Sequence, residues 1–226
     1  MRRNVSLDEI SDGRLYGRND MVKADCHGCK GCHKCCTGMG NSVLLDPYDV
    51  YRLQRGLGKG LAQLLAEEMV ELNVADGVIL PNVKMTGKDE RCAFLNGEGR
   101  CSIHENRPGI CRLFPLGRYY EEGDFRYFLQ TGECQESNRS KVKVSKWIDT
   151  PDQNRNHDFI CKWHSLVNDL EEVVSGVQDL DKAKRWNMLM LQTFYMEPYN
   201  REEDFYGQFS ERLERYGEAV AGFSGR

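Results

Sequence analysis

Two helices are predicted in the first third of the chain. Asp46 is a suitable N-cap residue, and Pro47 fits the first turn of the helix that follows it. Glycines at positions 56 and 58 would end this helix. A second helix is predicted from Lys59 to about Leu72, because its leucines recur at helical spacing. The GLGKG sequence between them lacks a preceding strand and the full dinucleotide-loop spacing, so we expect a helix end and a turn there.

The pattern changes to short strands between positions 78 and 133. The pieces VILPNVKM, CAFL and CSIH are β-prone and are separated by turn residues. The aromatic-rich runs GRYY and FRYFLQ flank the glycine-containing sequence EEGD, which predicts a β-hairpin. We expect strands in this region alone.

Three further helices are predicted in the last third of the chain, at about 158–174, 181–196 and 201–221. One apolar stripe surrounds Trp163 and another surrounds Trp186, and both are expected to pack on the core. The predicted fold class is α+β: a mainly helical single domain with a small antiparallel hairpin region. We divide it into an N-terminal segment (1–25), a cysteine-cluster metal-binding domain (26–135) and a C-terminal helical region packed on that domain (136–226).

Charge and hydropathy exclude two classes of partner. The 31 basic and 35 acidic residues are interspersed and give a formal charge of -4, without the basic stripe that nucleic-acid binding needs. No segment reaches about 18 uninterrupted apolar residues, so no membrane helix is expected. The first twenty residues lack the continuous apolar stretch of a signal peptide. These observations predict a cytoplasmic protein.

Ten residues are cysteine, and five of them lie in the run CHGCKGCHKCC at positions 26–36. Clustered thiols in a reducing compartment usually hold metal or do redox work. Gaps of two residues allow successive thiolates to surround one centre. Neighbours in an extended segment point to opposite sides, so we expect one of Cys35 and Cys36 to face a second site or the core.

Two ligand registers compete within this run, and the sequence leaves both open. The spacing C-x2-C-x2-C-x3-C of bacterial ferredoxins is reproduced by Cys26, Cys29, Cys32 and Cys36, with Thr37 in place of the following proline. The alternative, C-x2-C-x2-C-C, uses Cys29, Cys32, Cys35 and Cys36.

Three downstream cysteines accompany the second register. A hairpin turn at 96–99 would bring Cys92 and Cys101 to neighbouring strands. Cys111 follows the pair Arg107-Pro108, which is typical of the start of a short helix.

Positive groups around Cys111 suit a thiolate centre. The N-H groups at a helix start, together with Arg107 and Arg112, would stabilise thiolates and a negatively charged cluster. Such surroundings also tend to raise a reduction potential.

The combined pattern, C-x2-C-x2-C-C followed by C-x8-C-x-I-x-x-x-R-P-x-x-C-R-x-F-P, resembles the YkgJ-type cysteine-cluster family of zinc- or iron-chelating proteins. The match runs from about Cys29 to Pro115. The resemblance implies a metal-binding domain that holds an iron-sulfur centre. Flagellin lysine-N-methylases share the signature, which implies methyl transfer as a family activity, although nothing else in the chain indicates an S-adenosylmethionine site.

Several other side chains are weaker ligand candidates. Cys26 and Cys134 are retained as additional metal ligands, whereas Cys161 is expected to be an unligated helix cysteine. His27 and His33 fit a zinc site but are expected to face solvent. Histidine 104 is expected to pack on the hairpin, and histidines 157 and 164 to lie on a helix surface.

The spacing of the downstream cysteines favours iron over zinc. Structural zinc sites usually pair two C-x2-C knuckles, whereas the downstream cysteines are spread as C-x8-C-x9-C. The favoured cofactor is an iron-sulfur cluster, [4Fe-4S], and zinc is the alternative. Three functions remain open: electron transfer with an unidentified protein partner or redox donor or acceptor, an S-adenosylmethionine-dependent protein lysine methyltransferase-like enzyme, and a zinc-stabilised interaction module.

Overall fold

The computed structural model describes residues 6–26, 32–134, 136, 138–177 and 179–224. In these residues the helices are α1 Leu7–Ile10, α2 Pro47–Leu57, α3 Leu61–Ala66, α4 Gly109–Leu113, α5 Val144–Ile148, α6 Gln153–Gly176, α7 Leu180–Leu191 and α8 Phe205–Ser224. The strands are β1 Ser11–Tyr16, β2 Met21–Asp25, β3 Val70–Ala75, β4 Val78–Val83, β5 Met85–Thr86, β6 Arg91–Cys92, β7 Leu116–Glu121, β8 Asp124–Gln130 and β9 Ser140–Lys143. Single 3₁₀ turns lie at Lys34–Cys36 and His104–Asn106, and a π turn lies at Gln192–Met196.

The strands form small antiparallel sheets, which confirms the predicted combination of helices with antiparallel pairs. The largest sheet has the order β1-β8-β7, and the pairs are β2-β9, β3-β4 and β5-β6. The predicted aromatic hairpin is β7-β8. Its turn places Glu122 at φ 50° and Gly123 at φ 81°, the two left-handed conformations that a tight two-residue hairpin turn needs.

The second predicted helix was too long. Helix α3 ends at Ala66, and the chain then enters β3, whose residues pair in register with β4 from Val70↔Val83 to Ala75↔Val78. The turn between the strands is Asp76-Gly77, with φ 50° and 84°, a strong hairpin signal. The last residues of the predicted helix, from Val70 onward, therefore belong to a strand that the hairpin turn at Asp76-Gly77 pairs with β4.

The expectation that strands lie only between positions 78 and 133 was also wrong. Strands β1, β2, β3 and β9 lie outside that region. Strand β1 is held by β8, with Ser11 opposite Gln130, and β2 is held by β9, with Met21 opposite Lys143. Such distant partners leave little trace in the local pattern of either segment.

Helix α2 confirms its predicted caps. The Asp46 side chain accepts a hydrogen bond from the N-H of Asp49, and the Asp49 side chain accepts one from the N-H of Asp46, which completes a capping box. The helix ends at Gly58, in the left-handed conformation, while Gly56 lies inside it. Gly60 then begins α3, so GLGKG is a helix end and a turn, as predicted.

The C-terminal helices pack on α2 around a shared core. Helix α6 begins five residues before its predicted start, and α8 four residues after. The Phe205 ring of α8 packs against Tyr51 of α2 in a tilted arrangement and against Phe159 of α6 edge to face, with ring centroids 5.3 Å and 5.1 Å apart. The Tyr195 hydroxyl donates to the Leu45 carbonyl at 2.8 Å. None of the described helices is both long and apolar enough to cross a membrane.

Candidate metal centre

Five thiols from four segments of the chain lie close together. They are Cys35, Cys36, Cys92, Cys101 and Cys111, and we refer to them as the thiol cluster. Cys35 lies within electrostatic reach of the other four, because its charge acts on each of them. The structure therefore joins the N-terminal cysteine run to the three downstream cysteines that the sequence singled out.

The N-terminal part of the thiol cluster is tied to the strand that carries Cys92. A 3₁₀ turn forms at Lys34–Cys36, where the N-H of Cys36 donates to the His33 carbonyl at 2.8 Å. Immediately after it, Thr37 forms an antiparallel bridge with Arg91. Backbone pairing thus places Cys36 close to Cys92.

The predicted turn at 96–99 is present, but its strand partners differ from the expectation. The N-H of Gly99 donates to the Asn96 carbonyl at 3.1 Å, and Gly99 takes a positive φ of 71°. Across the turn Cys101 bridges to Leu95, whereas Cys92 pairs with Met85. The two cysteines are therefore brought close by a compact loop and are not cross-strand partners.

Cys111 lies on α4, the short helix that the Arg107-Pro108 pair predicted. Pro108 is its N-cap residue. The N-H of Gly109 donates to the Asp49 carboxylate at 2.7 Å, so a side chain of α2 holds the start of α4. Arg112, on the next position after Cys111, is buried and donates to backbone carbonyls of the neighbouring loops.

The adjacent thiols Cys35 and Cys36 hydrogen-bond to each other. The expectation that their side chains diverge was wrong, because the chain is a 3₁₀ turn there and not an extended segment. The hydrogen bond from Cys36, aided by the positive charge of Arg107, lowers the pKa of Cys35 to about 7. The same hydrogen bond and burial raise the pKa of Cys36. One thiol of the pair is therefore poised to ionise near neutral pH.

Burial raises the pKa of the three downstream thiols. At Cys92 and Cys101 the effect is partly offset by N-H groups, those of Phe94 and Ile103, that donate to the sulfur atoms. At Cys111 the pKa is raised well above its ordinary value by burial and by the negative charges of Cys35 and Asp49. Buried thiols whose charged forms repel one another are stabilised as thiolates by a bound cation. The donor set therefore fits a thiophilic metal or an iron-sulfur group.

The other predicted ligand residues differ in exposure and in their position along the chain. Cys29 and His27 lie outside the described residues. Cys32 and His33 are exposed just before the 3₁₀ turn, and Cys26 is buried directly after β2. Cys134 is half-buried and follows the end of β8 by four residues. His104 is largely exposed, but partial desolvation of its ring and the positive charges of nearby arginines lower its pKa.

Two helix histidines are not the simple surface residues that the sequence predicted. The His164 ring stacks on Tyr120 at 3.5 Å between centroids. His157 contacts Asp124 and lies within reach of Cys161 on the same helix. The spacing of His157 and Cys161, four residues apart on a predicted helix, was a signal that could have revealed this group.

Comparison with known proteins agrees with this thiol chemistry. The family model CxxCxxCC, described as a putative zinc- or iron-chelating domain, matches residues 28–135. That segment contains the whole thiol cluster together with Cys29, Cys32 and Cys134. No curated protein and no solved structure gives a significant match. Residues 28–135, a little under half of the chain, are thus similar to a domain family described as zinc- or iron-chelating, and this similarity supports metal binding by the segment.

Proposed function

We propose that the thiol cluster, with Cys29 and Cys32, holds an iron-sulfur cluster of the [4Fe-4S] type, and that the protein exchanges electrons with a protein partner. The observation that carries this proposal is that Cys35 lies within reach of four other thiols. A structural zinc ion takes four ligands in a tetrahedron. A [4Fe-4S] cluster likewise takes four cysteine ligands, so the converging thiols supply a complete ligand set for either centre. The wide downstream spacing C-x8-C-x9-C, without a second C-x2-C knuckle, favours the cluster over zinc.

The polar surroundings support a negatively charged sulfur-rich centre. The positive charge of Arg107 acts on both Cys35 and Cys101. The N-H groups of Phe94 and Ile103 donate to cysteine sulfur atoms. Hydrogen bonds and positive charges at the sulfurs are the means by which proteins set the potential of an iron-sulfur cluster.

The position of the thiol cluster supports exchange with a partner. Cys35, Cys92 and Cys101 are only half-buried, and Cys32 is exposed. Next to Cys111, the Ile110 side chain is 38% exposed and offers an apolar contact at the rim. A centre close to the surface and bordered by an exposed apolar side chain suits brief docking and electron transfer.

The metal content decides the first half of the proposal. The full chain, purified without oxygen, is expected to be brown and to contain iron and acid-labile sulfide. Cys35→Ser and Cys111→Ser are expected to lose most of this iron, whereas the control Cys161→Ser, outside the thiol cluster, keeps it. A colourless protein that contains stoichiometric zinc and no sulfide would overturn the proposal in favour of a zinc-stabilised interaction module.

Reversible reduction of the metal centre tests the second part of the proposal, electron transfer. Dithionite is expected to bleach the visible absorption reversibly and to give a paramagnetic signal. Arg107→Gln should lower the reduction potential, because it removes a positive charge that favours the reduced, more negative cluster. The control Arg126→Gln removes an exposed arginine paired with Glu121 and should leave the potential unchanged. A centre that cannot be reduced and reoxidised would overturn the electron-transfer role.

A further inference from the structure

We propose a second metal site, separate from the thiol cluster, formed by Asp124, His157 and Cys161, which binds a zinc-like divalent cation. The ligand atoms of these three side chains all lie within 4.8 Å of one another. Asp124 is the first residue of β8, and the other two lie one turn apart on α6. Neither element carries a member of the thiol cluster.

The three donors converge on one carboxylate oxygen. The Nε2 atom of His157 lies 2.7 Å from Oδ1 of Asp124, and the Sγ atom of Cys161 lies 4.0 Å from the same oxygen. The trio therefore presents one nitrogen, one oxygen and one sulfur atom to a common point. Small movements of these side chains are sufficient to surround an ion there.

Neighbouring contacts hold the trio in place. His157 and Cys161 are four residues apart on α6, so they share one face of the helix. The His157 ring stacks on Phe125 at 4.4 Å between centroids. The N-H of Phe125 donates to Oδ1 of Asp124 at 2.7 Å. Phe125 thus positions both the imidazole and the carboxylate, which reduces the ordering that metal binding would require.

The arrangement does not suit a cysteine nucleophile. In such sites the imidazole lies between the thiol and the carboxylate, so that it removes the thiol proton and is oriented by the acid. Here the Asp124 oxygen lies next to both the imidazole and the thiol. Burial, together with the charges of Asp124 and Asp158, raises the pKa of Cys161 and keeps the free thiol protonated. A cation relieves this repulsion, whereas a nucleophilic role would require a lowered pKa.

The donor types indicate the class of cation. Zinc accepts cysteine sulfur, histidine nitrogen and carboxylate oxygen together, and three protein ligands leave a position for water. Binding through Nε2 moves the ring proton to Nδ1, which is buried and has no hydrogen-bond partner among the described residues. A hydrogen-bond acceptor for the outer ring nitrogen normally strengthens a zinc-histidine site, so we expect exchangeable rather than permanent binding.

Cobalt, which substitutes for zinc and reports thiolate ligation by its colour, is a direct probe. The full chain with its thiol-cluster metal intact is titrated with Co²⁺, and bound cobalt is counted after dialysis against a fixed cobalt concentration. The wild type is expected to bind one equivalent more than Cys161→Ser or His157→Gln and to show a thiolate-to-cobalt band that zinc abolishes. The metal already held in the thiol cluster should be unchanged in both variants.

A more distant acid on the same helix provides the control. Glu172→Gln removes an exposed negative charge eleven residues beyond Cys161, and it should bind as much cobalt as the wild type. Equal cobalt binding by the wild type and both ligand variants would overturn the site, as would an equal loss in Glu172→Gln, which would indicate a diffuse acidic surface. Because the thiol-cluster metal is counted separately, failure here is distinguishable from failure of the iron-sulfur proposal.

Discussion

The carboxylate of Asp49 accepts a hydrogen bond of 2.7 Å from the backbone N-H of Gly109, sixty residues away in the sequence. The other oxygen of the same carboxylate accepts from the N-H of Asp46 at 3.1 Å and closes the capping box of α2. Asp49 is 3% exposed, so solvent cannot replace either contact. One buried side chain therefore joins the start of α2 to the start of α4, the helix that carries Cys111.

Removal of this side chain should affect both stability and metal binding. We expect Asp49→Ala to lower the free energy of unfolding by about 1–3 kcal/mol, because two backbone N-H groups lose their acceptor. The iron or zinc content per chain should fall as well, since α4 no longer holds Cys111 in place. Urea unfolding and metal analysis of the same preparation measure the two effects.

Asp179→Ala is the matched control for this prediction. Asp179 caps α7, a helix without any cysteine of the thiol cluster, by accepting from the N-H groups of Asp181 and Lys182. Its loss should cost about 0.5–2 kcal/mol of stability and leave the metal content unchanged. If both variants lose metal in proportion to stability, Asp49 has no special role at the centre.

The half-buried carboxyl group of Asp46 predicts a specific pH dependence of stability. Burial raises its pKa from 3.8 to about 6 in the folded protein, while the unfolded chain keeps the ordinary value. Between about pH 4 and pH 6 the folded state therefore binds more protons than the unfolded state. The contribution of Asp46 to stability is present at low pH and is lost as the pH rises through 6.

Asp46→Asn removes this titration and retains a good N-cap residue. The unfolding free energy of the wild type should therefore decrease relative to that of Asp46→Asn as the pH rises from about 4 to 6. Urea unfolding across this range measures it. Asp89→Asn, at an exposed position, is the matched control against which this difference is compared. A slope of the opposite sign at Asp46 would show that its carboxylate is stabilised by folding.

Much of the site was predictable because its signals are local. The two-residue gaps between cysteines, the turn before Gly99 and the Arg107-Pro108 helix start are each set within a few residues. The conformation of Cys35 and Cys36 was not predictable in this way. The cysteine spacing is compatible with both a 3₁₀ turn and an extended segment, and the chain forms the 3₁₀ turn.

The remaining errors share a physical cause, which is dependence on distant partners. Strand β1 forms by pairing with β8, although the paired residues Ser11 and Gln130 are far apart in sequence. The contact between Asp124 and His157 likewise joins a hairpin to a helix. Long-range pairing of this kind depends on the assembled core, whereas periodicity and capping report only the local chain.

The paired thiols predict unequal reactivity in the metal-free protein. Because the pKa of Cys35 is lowered to about 7 and that of Cys36 is raised, iodoacetamide should modify Cys35 first near neutral pH. Cys36→Ala removes the hydrogen bond that contributes most, so labelling of Cys35 should slow by roughly tenfold. Arg107→Gln should slow it less. Peptide mass spectrometry over a pH series measures each rate, and equal labelling of the two wild-type cysteines would contradict the prediction.

Arg112 holds the loop between Cys101 and Cys111 through several carbonyl groups. Its guanidinium donates to the carbonyl oxygen of Asp149 at 2.6 Å, to that of Arg107 at 3.3 Å and to that of Glu105. The residue is 6% exposed, and burial lowers its pKa to about 10, so it remains charged at neutral pH. A planar group with donors in several directions is required for these contacts.

Arg112→Lys should therefore be damaging although it keeps the charge. A lysine ammonium is a compact group that cannot reach all three carbonyls, and each buried acceptor left without a donor costs about 1–3 kcal/mol. We expect lower stability in urea and faster loss of metal to a chelator, because the loop that carries Cys101 and Cys111 is no longer fixed. Arg126→Lys, at an exposed position on β8, should change neither property. If Arg112→Lys retains its metal as firmly as Arg126→Lys does, the positive charge alone accounts for the role of Arg112.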